Sequence, residues 1–236
     1  MQEFTIYSQI PPARHQQVLN ILAGVTAAQP VEVNEQTLIY QQAKPPPGAT
    51  GGTGAKKVAP AAKKTAAQSL TFQKLIRNLT HGGNAPWLLR VEETPQPGVQ
   101  NLISRSVNEL VANSDVLERF REGSGWYRYV NQYLSRGYRF VLNNVVVKIT
   151  QVYSVPEGTG ALEPLDAPIP AMLDCKLVDP TACYLFEAYI RVDDATNTKL
   201  LEQATAELLA FKKRMEGAVD LRVPERLALD TKVKGS

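Results

Sequence analysis

The run WYRYVNQYLSRGYRFVLNNVVVKITQVY, residues 126–153, constrains the fold more than any other feature of the chain. It is dense in aromatic and β-branched residues, which fit a pleated, half-buried surface. Two turn signals interrupt it, Ser135-Arg136-Gly137 and Asn143-Asn144, and they predict two linked antiparallel hairpins. Period-two patterning recurs at the start of the chain. Phe4, Ile6, Ser8 and Ile10 fall on one side of a predicted strand over Gln2 to Ile10, with Glu3, Thr5, Tyr7 and Gln9 on the other, as in a half-buried strand. Further strands are predicted over Val31 to Gln41, Trp87 to Thr94, Leu102 to Val111, Met172 to Val178 and Ala182 to Val192.

Helical spacing is confined to a few segments. Pro12 suits a first helical turn, and Val18, Leu19, Leu22 and Val25 behind it predict a helix over Pro12 to Ala27 that closes near Gly24. Ser69 to Leu79 has a weak helical pattern, with a strand as the other reading, and Asn113 to Phe120 predicts a short capped helix. Residues 194–216 predict an amphipathic helix with Leu200, Leu201, Ala204, Leu208, Phe211 and Met215 on one stripe. The fold class is therefore mainly β (α+β): an antiparallel β-barrel or strongly curled sheet of about eight strands with flanking helices, in which closure would hide the edges.

The expected organisation is one domain over residues 1–236. Residues 44–68 mix Pro, Gly, Ala and Lys with almost nothing bulky to bury, so a disordered insert is expected there, and residues 156–170 read as a long surface loop. The insert also sets the charge. The chain carries 26 Lys and Arg against 23 Asp and Glu, and without the five lysines from Lys44 to Lys64 its net charge falls from +3 to −2. The remainder thus lacks the basic excess of a dedicated nucleic-acid-binding domain. Two cysteines fit a reducing compartment, and neither a secretory signal nor an apolar run near ~18 residues is evident, so a soluble intracellular chain is expected.

The catalytic inventory is thin. His15 and His81 read as surface or capping histidines, and Cys175 and Cys183 as small apolar residues in no zinc-ligand spacing. The glycines of the insert do not have the spacing of a phosphate loop. Carboxylates two apart on one strand would share a face and hold a divalent metal, but Glu92 and Glu93 are adjacent, Glu32 and Glu35 are three apart, and Asp193-Asp194 opens a helix. All of these read as surface or capping charge, and no catalytic, cofactor-binding or metal-binding residue is assigned. By parity Tyr127, Tyr129 and Tyr133 share a face opposite Trp126 and Arg128, which fits core packing, a protein interface or, with the interleaved arginines, nucleic-acid binding.

In order and spacing, EFTIYSQIPPARHQQVLNILAGVTAAQP, PWLLRVEETPQPG, YVNQYLSRGYRFVLNNVVVKITQVY and LLEQATAELLAFKKRMEGAVDLRVPERLAL resemble the Mediator subunit 18 family in its fungal form. The resemblance spans the chain apart from the insert and the long loop. It implies a nuclear, non-enzymatic barrel subunit of the Mediator head module that pairs with subunit 20 and receives a C-terminal helix of subunit 8. Other head-module subunits and, indirectly, RNA polymerase II would be further partners. The family barrel is also likened to messenger-RNA capping triphosphatases, whose Glu-x-Glu pairs this sequence lacks, which implies that the shape is kept without the reaction; a polyphosphate hydrolase or RNA-binding barrel is the alternative that fold analogy and the Arg- and Tyr-rich hairpin leave. No family interface motif can be matched residue by residue. The interface expectations are physical ones: the tyrosine-rich hairpin, with Tyr127, Tyr129, Tyr133 and Tyr138, and the rim of the last helix, with Leu201 and Leu208.

Overall fold

In the computed structural model, which describes residues 1–43, 71–80, 85–98, 101–156 and 164–232, the strand signals resolve into a closed antiparallel barrel. The expected insert at 44–68, His81 and residues 157–163 of the expected loop at 156–170 lie outside the described residues. In chain order the strands are β1 (Gln2–Ile10), β2 (Val31–Gln42), β3 (Phe72–Asn78), β4 (Leu88–Glu92), β5 (Ile103–Val111), β6 (Tyr127–Leu142), β7 (Val145–Ser154), β8 (Lys176–Leu177) and β9 (Tyr184–Val192). Helices α1 (His15–Thr26), α2 (Ser114–Glu118) and α3 (Thr198–Arg214) flank them. The strand order is β6-β2-β3-β4-β5-β1-β9-β7, and β7 pairs back onto β6 to close the ring, with β8 added beside β7. Closure leaves the eight barrel strands no open side along most of their length, which removes the edge liability of an open sheet.

Both faces of these strands are covered, contrary to the half-buried reading of β1. Phe4, Ile6 and Ile10 pack outward with Leu22 of α1, Leu208 and Phe211 of α3, and Phe140 and Phe186 of neighbouring strands. The opposite face, with Glu3 and Thr5 also buried, turns into the barrel lumen. The principal apolar core thus lies between the outer barrel wall and the two long helices. A second one, with Leu38, Tyr40, Leu75, Trp87 and Phe120, sits outside the wall near α2.

Four sequence readings change. Ser135-Arg136-Gly137 does not turn: β6 runs straight through it for 16 residues, and only Asn143-Asn144 makes a hairpin, with Asn143 at φ 52°. Gly137 is needed for close approach, because a Cβ there would stand 1.9 Å from the carbonyl oxygen of Ile149 on β7. The segment with the weak helical pattern is strand β3, held between β2 and β4, where tertiary pairing overrides local propensity. The strand expected at 172–178 shrinks to a 3-10 turn (Met172–Asp174) and the two residues of β8, which pair on one side only. Finally α1 continues past Gly24 and stops where Ala27 turns left-handed, at φ 52°. His15, at its first turn, stacks on Tyr184 with ring centroids 3.8 Å apart and is half-buried rather than a plain surface residue.

α3 follows its expected stripe from Thr198 rather than 194, with the Asn197 side chain accepting from the Leu200 amide. The chain after it returns to the barrel. Tyr7 and Arg222 exchange backbone hydrogen bonds of 2.9 and 2.7 Å, and Phe72 donates to the Thr231 carbonyl at 2.9 Å, so the C-terminal segment crosses the end of the barrel from β1 to β3.

Two glycines should therefore respond in opposite ways to alanine. Gly137→Ala should lower unfolding stability in urea by about 3 kcal/mol through overpacking against β7. Gly24→Ala, with nothing within 4 Å of the new methyl, should raise it by about 0.5–1 kcal/mol through helix propensity.

Candidate functional site

The lumen is where polar chemistry concentrates. It forms a cavity of about 750 Å³, to which the strands contribute five glutamates and five basic residues. Arg90 is the hub. Its Nε donates to Glu92 at 2.5 Å, its Nη2 to both oxygens of Glu3 at 2.8 and 2.9 Å, and its Nη1 to Glu109. Arg105 ties Glu3 to Glu92 at 3.0 and 2.9 Å, Arg191 ties Glu3 to Glu109 at 2.9 Å each, and Lys74 reaches Glu92 at 2.9 Å. Register brings these residues together, for Glu3 stands opposite Arg105 on β5 and Arg191 on β9, and Arg90 stands opposite Glu109 and Lys74.

A smaller set lies on the β2, β7 and β9 wall. Lys148 donates to both oxygens of Glu35, at 2.9 and 3.0 Å. Glu187 is directly opposite Lys148 across the β7–β9 ladder, and no salt bridge is made by it among the described residues.

Burial and partners divide these acids. Burial alone would push the Glu3 and Glu92 carboxyls up, but the guanidiniums around Glu3, and Lys74 and the guanidiniums around Glu92, outweigh it. Glu3 is held below its ordinary range and Glu92 is brought down to about 2. Glu187 goes the other way, raised first by burial and then by the Glu3 charge, against which Lys148 acts only in part. The Lys148 ammonium is pushed down by its burial, yet the Glu35 charge prevails and keeps it above its ordinary value.

The residues expected to face a partner are dispersed. Val130 is an extra residue in β6, since Ile39 pairs with Asn131 and Tyr40 already pairs with Tyr129. This bulge reverses parity along β6, so the shared tyrosine face does not exist. Tyr127 and Tyr129 lie on the outer wall, Tyr127 stacked on Phe120 at 4.2 Å and Tyr129 edge-on to Tyr40 at 5.7 Å. Tyr133 lines the lumen, and Tyr138 sits outside near His15 at 6.0 Å. Leu208 is fully buried in the main core and is not part of an exposed rim, while Leu201 is half-buried against that core and Leu200 is 43% exposed.

The lumen itself was missed because only pairs of acids on one strand were sought. Glu92 and Glu35, read as surface charge, both point inward. The available signal was of mixed sign: Arg90 and Glu92 are two apart on one strand and must share a face, and Glu3 sits inside an otherwise buried strand.

Comparison with known proteins places this barrel. A family model for the Med18 protein matches residues 2–232. The chain belongs to the Mediator subunit 18 family. Curated members include "Mediator of RNA polymerase II transcription subunit 18" of Coccidioides immitis, 26% identical and covering 99% of this chain and 100% of that one. The protein of the same name from Yarrowia lipolytica is 25% identical with the same coverage. Among solved structures, a chain in the "Structure of the Schizosaccharomyces pombe Mediator head module" superposes with a TM-score of 0.67 at 18% identity, over 95% of this chain and 99% of that chain, which shows a shared fold. The Mediator subunit 18 family is one of transcription-complex subunits and not of enzymes.

Removing a hub acid strands buried cations, so Glu92→Gln should cost about 3–5 kcal/mol of stability at pH 7. In the parent chain the Glu92 contribution is fully present above the ordinary carboxylate value of 4.5 and is lost as pH falls towards about 2. Glu187 has the reverse sign: its cost appears as pH rises above the ordinary range, so Glu187→Gln should raise the melting temperature at pH 7 and lose that advantage in acid. Thermal melts across pH of the three proteins check both.

Proposed function

We propose that this chain is a structural subunit of the Mediator head module in the nucleus, pairing with subunit 20 and holding a C-terminal helix of subunit 8, and so helping to connect regulators to RNA polymerase II. The observation that carries the reading is the family match over residues 2–232. Two features of the molecule agree with it. The lumen arginines are engaged by the chain's own glutamates, so a polyphosphate would have to displace Glu3, Glu92 or Glu109 to reach them, which disfavours the hydrolase alternative.

The second feature is apolar surface on the outside. Leu173 is 100% exposed, and Ile169 and Val178 are 40% and 58% exposed on the segment around β8, whose far side has no strand partner among the described residues. Such a segment suits strand addition or a helix laid alongside, and it is the proposed seat of the partner, together with the outer face at Tyr127 and Tyr129 and the Leu200–Leu201 rim of α3.

Co-expression with subunit 20 and the subunit 8 C-terminal segment, followed by light scattering, should give a complex with one copy of each. Leu173→Asp should weaken that assembly without changing the melting temperature of the free chain, because the side chain is wholly exposed in it. A chain that remained alone with both partners, or one that released phosphate from triphosphate RNA above a heat-treated control, would overturn the reading.

A further inference from the structure

Among the described residues, the internal pairing of the lumen is incomplete in one place. On the β1, β3, β4 and β5 side every glutamate touches at least two cations. On the β2, β7 and β9 wall two carboxylates, Glu35 and Glu187, share a single ammonium, and Lys148 gives it to Glu35. Glu187 is left opposite Lys148 on one side and Tyr7 on the other, lining the cavity with no salt bridge among the described residues. Its neighbour towards the solvent is aliphatic: Leu185, two residues along β9 on the same face, is 39% exposed and lines the same cavity.

We infer that this wall is a binding site for an alkylammonium or alkylguanidinium group, whose head pairs with Glu187 while its stem lies on Leu185. The charge pattern calls for a cation, because a second positive head completes the set of two carboxylates and two cations that one lysine leaves half made. The apolar rim calls for a short hydrocarbon stem, which long basic side chains carry. A cavity of about 750 Å³ is in the range that holds such a group. The group can arrive as a free amine or as a lysine or arginine side chain of a partner protein, and both present the same chemistry to Glu187.

The test is calorimetric titration of the whole chain with n-butylguanidinium and n-butylammonium, with 1-butanol as the uncharged control and a capped alanine pentapeptide bearing one central arginine as the second arm. Saturable binding of the cations but not of butanol is expected. Glu187→Gln, checked as folded by its melting curve, should weaken binding by about tenfold or more, the scale of one lost charged hydrogen bond. Lys148→Met should strengthen it, since both carboxylates then lack a cation, a gain that a merely structural role for Glu187 would not produce. Tighter binding of the peptide than of the free cations assigns the site to a partner's side chain, and exclusion of the peptide assigns it to a free amine. Absence of saturable binding by cations and peptide alike, or equal affinity in the parent chain and Glu187→Gln, overturns the inference.

Discussion

The barrel depends on a charge network it keeps inside. Arg90 and Arg105 hold Glu3 and Glu92 from β1 and β4 at buried positions, and Arg191 and Lys74 extend the contacts to β9 and β3. A network of this kind is weak evidence for net stability, because desolvation offsets most of the attraction. What it does enforce is register. Shifting β4 by one residue would carry Arg90 and Glu92 into the apolar layer that holds Leu89, and would bring Leu89 into the lumen.

From that constraint the rest of the architecture follows. With a polar interior, the barrel cannot be held by its own filling, and the apolar residues of each strand face outward. They need cover, which α1 and α3 supply on one side and the layer around Tyr40, Trp87 and Phe120 on the other. Helix α3 is thus a structural wall rather than a free amphipathic surface, which is why Leu208, on its apolar stripe, is buried within this chain. Apolar residues left over, such as Leu173 and Val178 around β8, lie where no element of the described chain covers them.

Much of this was legible in the sequence because alternation is a local signal. The strands at β1, β2, β7 and β9 and the stripe of α3 follow from local pattern, α2 follows from its capping residues, and β5 is a strand although its residues fit neither period cleanly; their number with short connections pointed to a closed antiparallel sheet. The end of α1, at Ala27 instead of Gly24, is a local misreading, and the larger ones are non-local. The Ser135-Arg136-Gly137 turn failed because glycine serves close strand approach as well as turning, and the choice is made by Ile149 on β7. The tyrosine face failed because one bulge residue, Val130, reverses parity in a way that only pairing with β2 reveals. Apart from Arg90 and Glu92 two apart on β4, the lumen leaves little local trace, because its carboxylates come from different strands and no stretch of sequence shows Glu3, Glu92 and Glu109 as neighbours. Family resemblance supplied what physics could not, since a scaffold subunit has no catalytic fingerprint to read.

Among the described residues the lumen is neutralised from within except at Glu187, and carbon-13 shifts of the glutamate side-chain carboxyls, followed through a pH titration of the whole chain, read this pairing out residue by residue. Glu3 and Glu92 should stay ionised below the ordinary carboxylate range, Glu92 to about 2, while Glu187 takes up its proton above that range. If all three titrated together near 4.5, the ordinary value, the glutamates would be facing water, and the account of an internally paired barrel would be wrong.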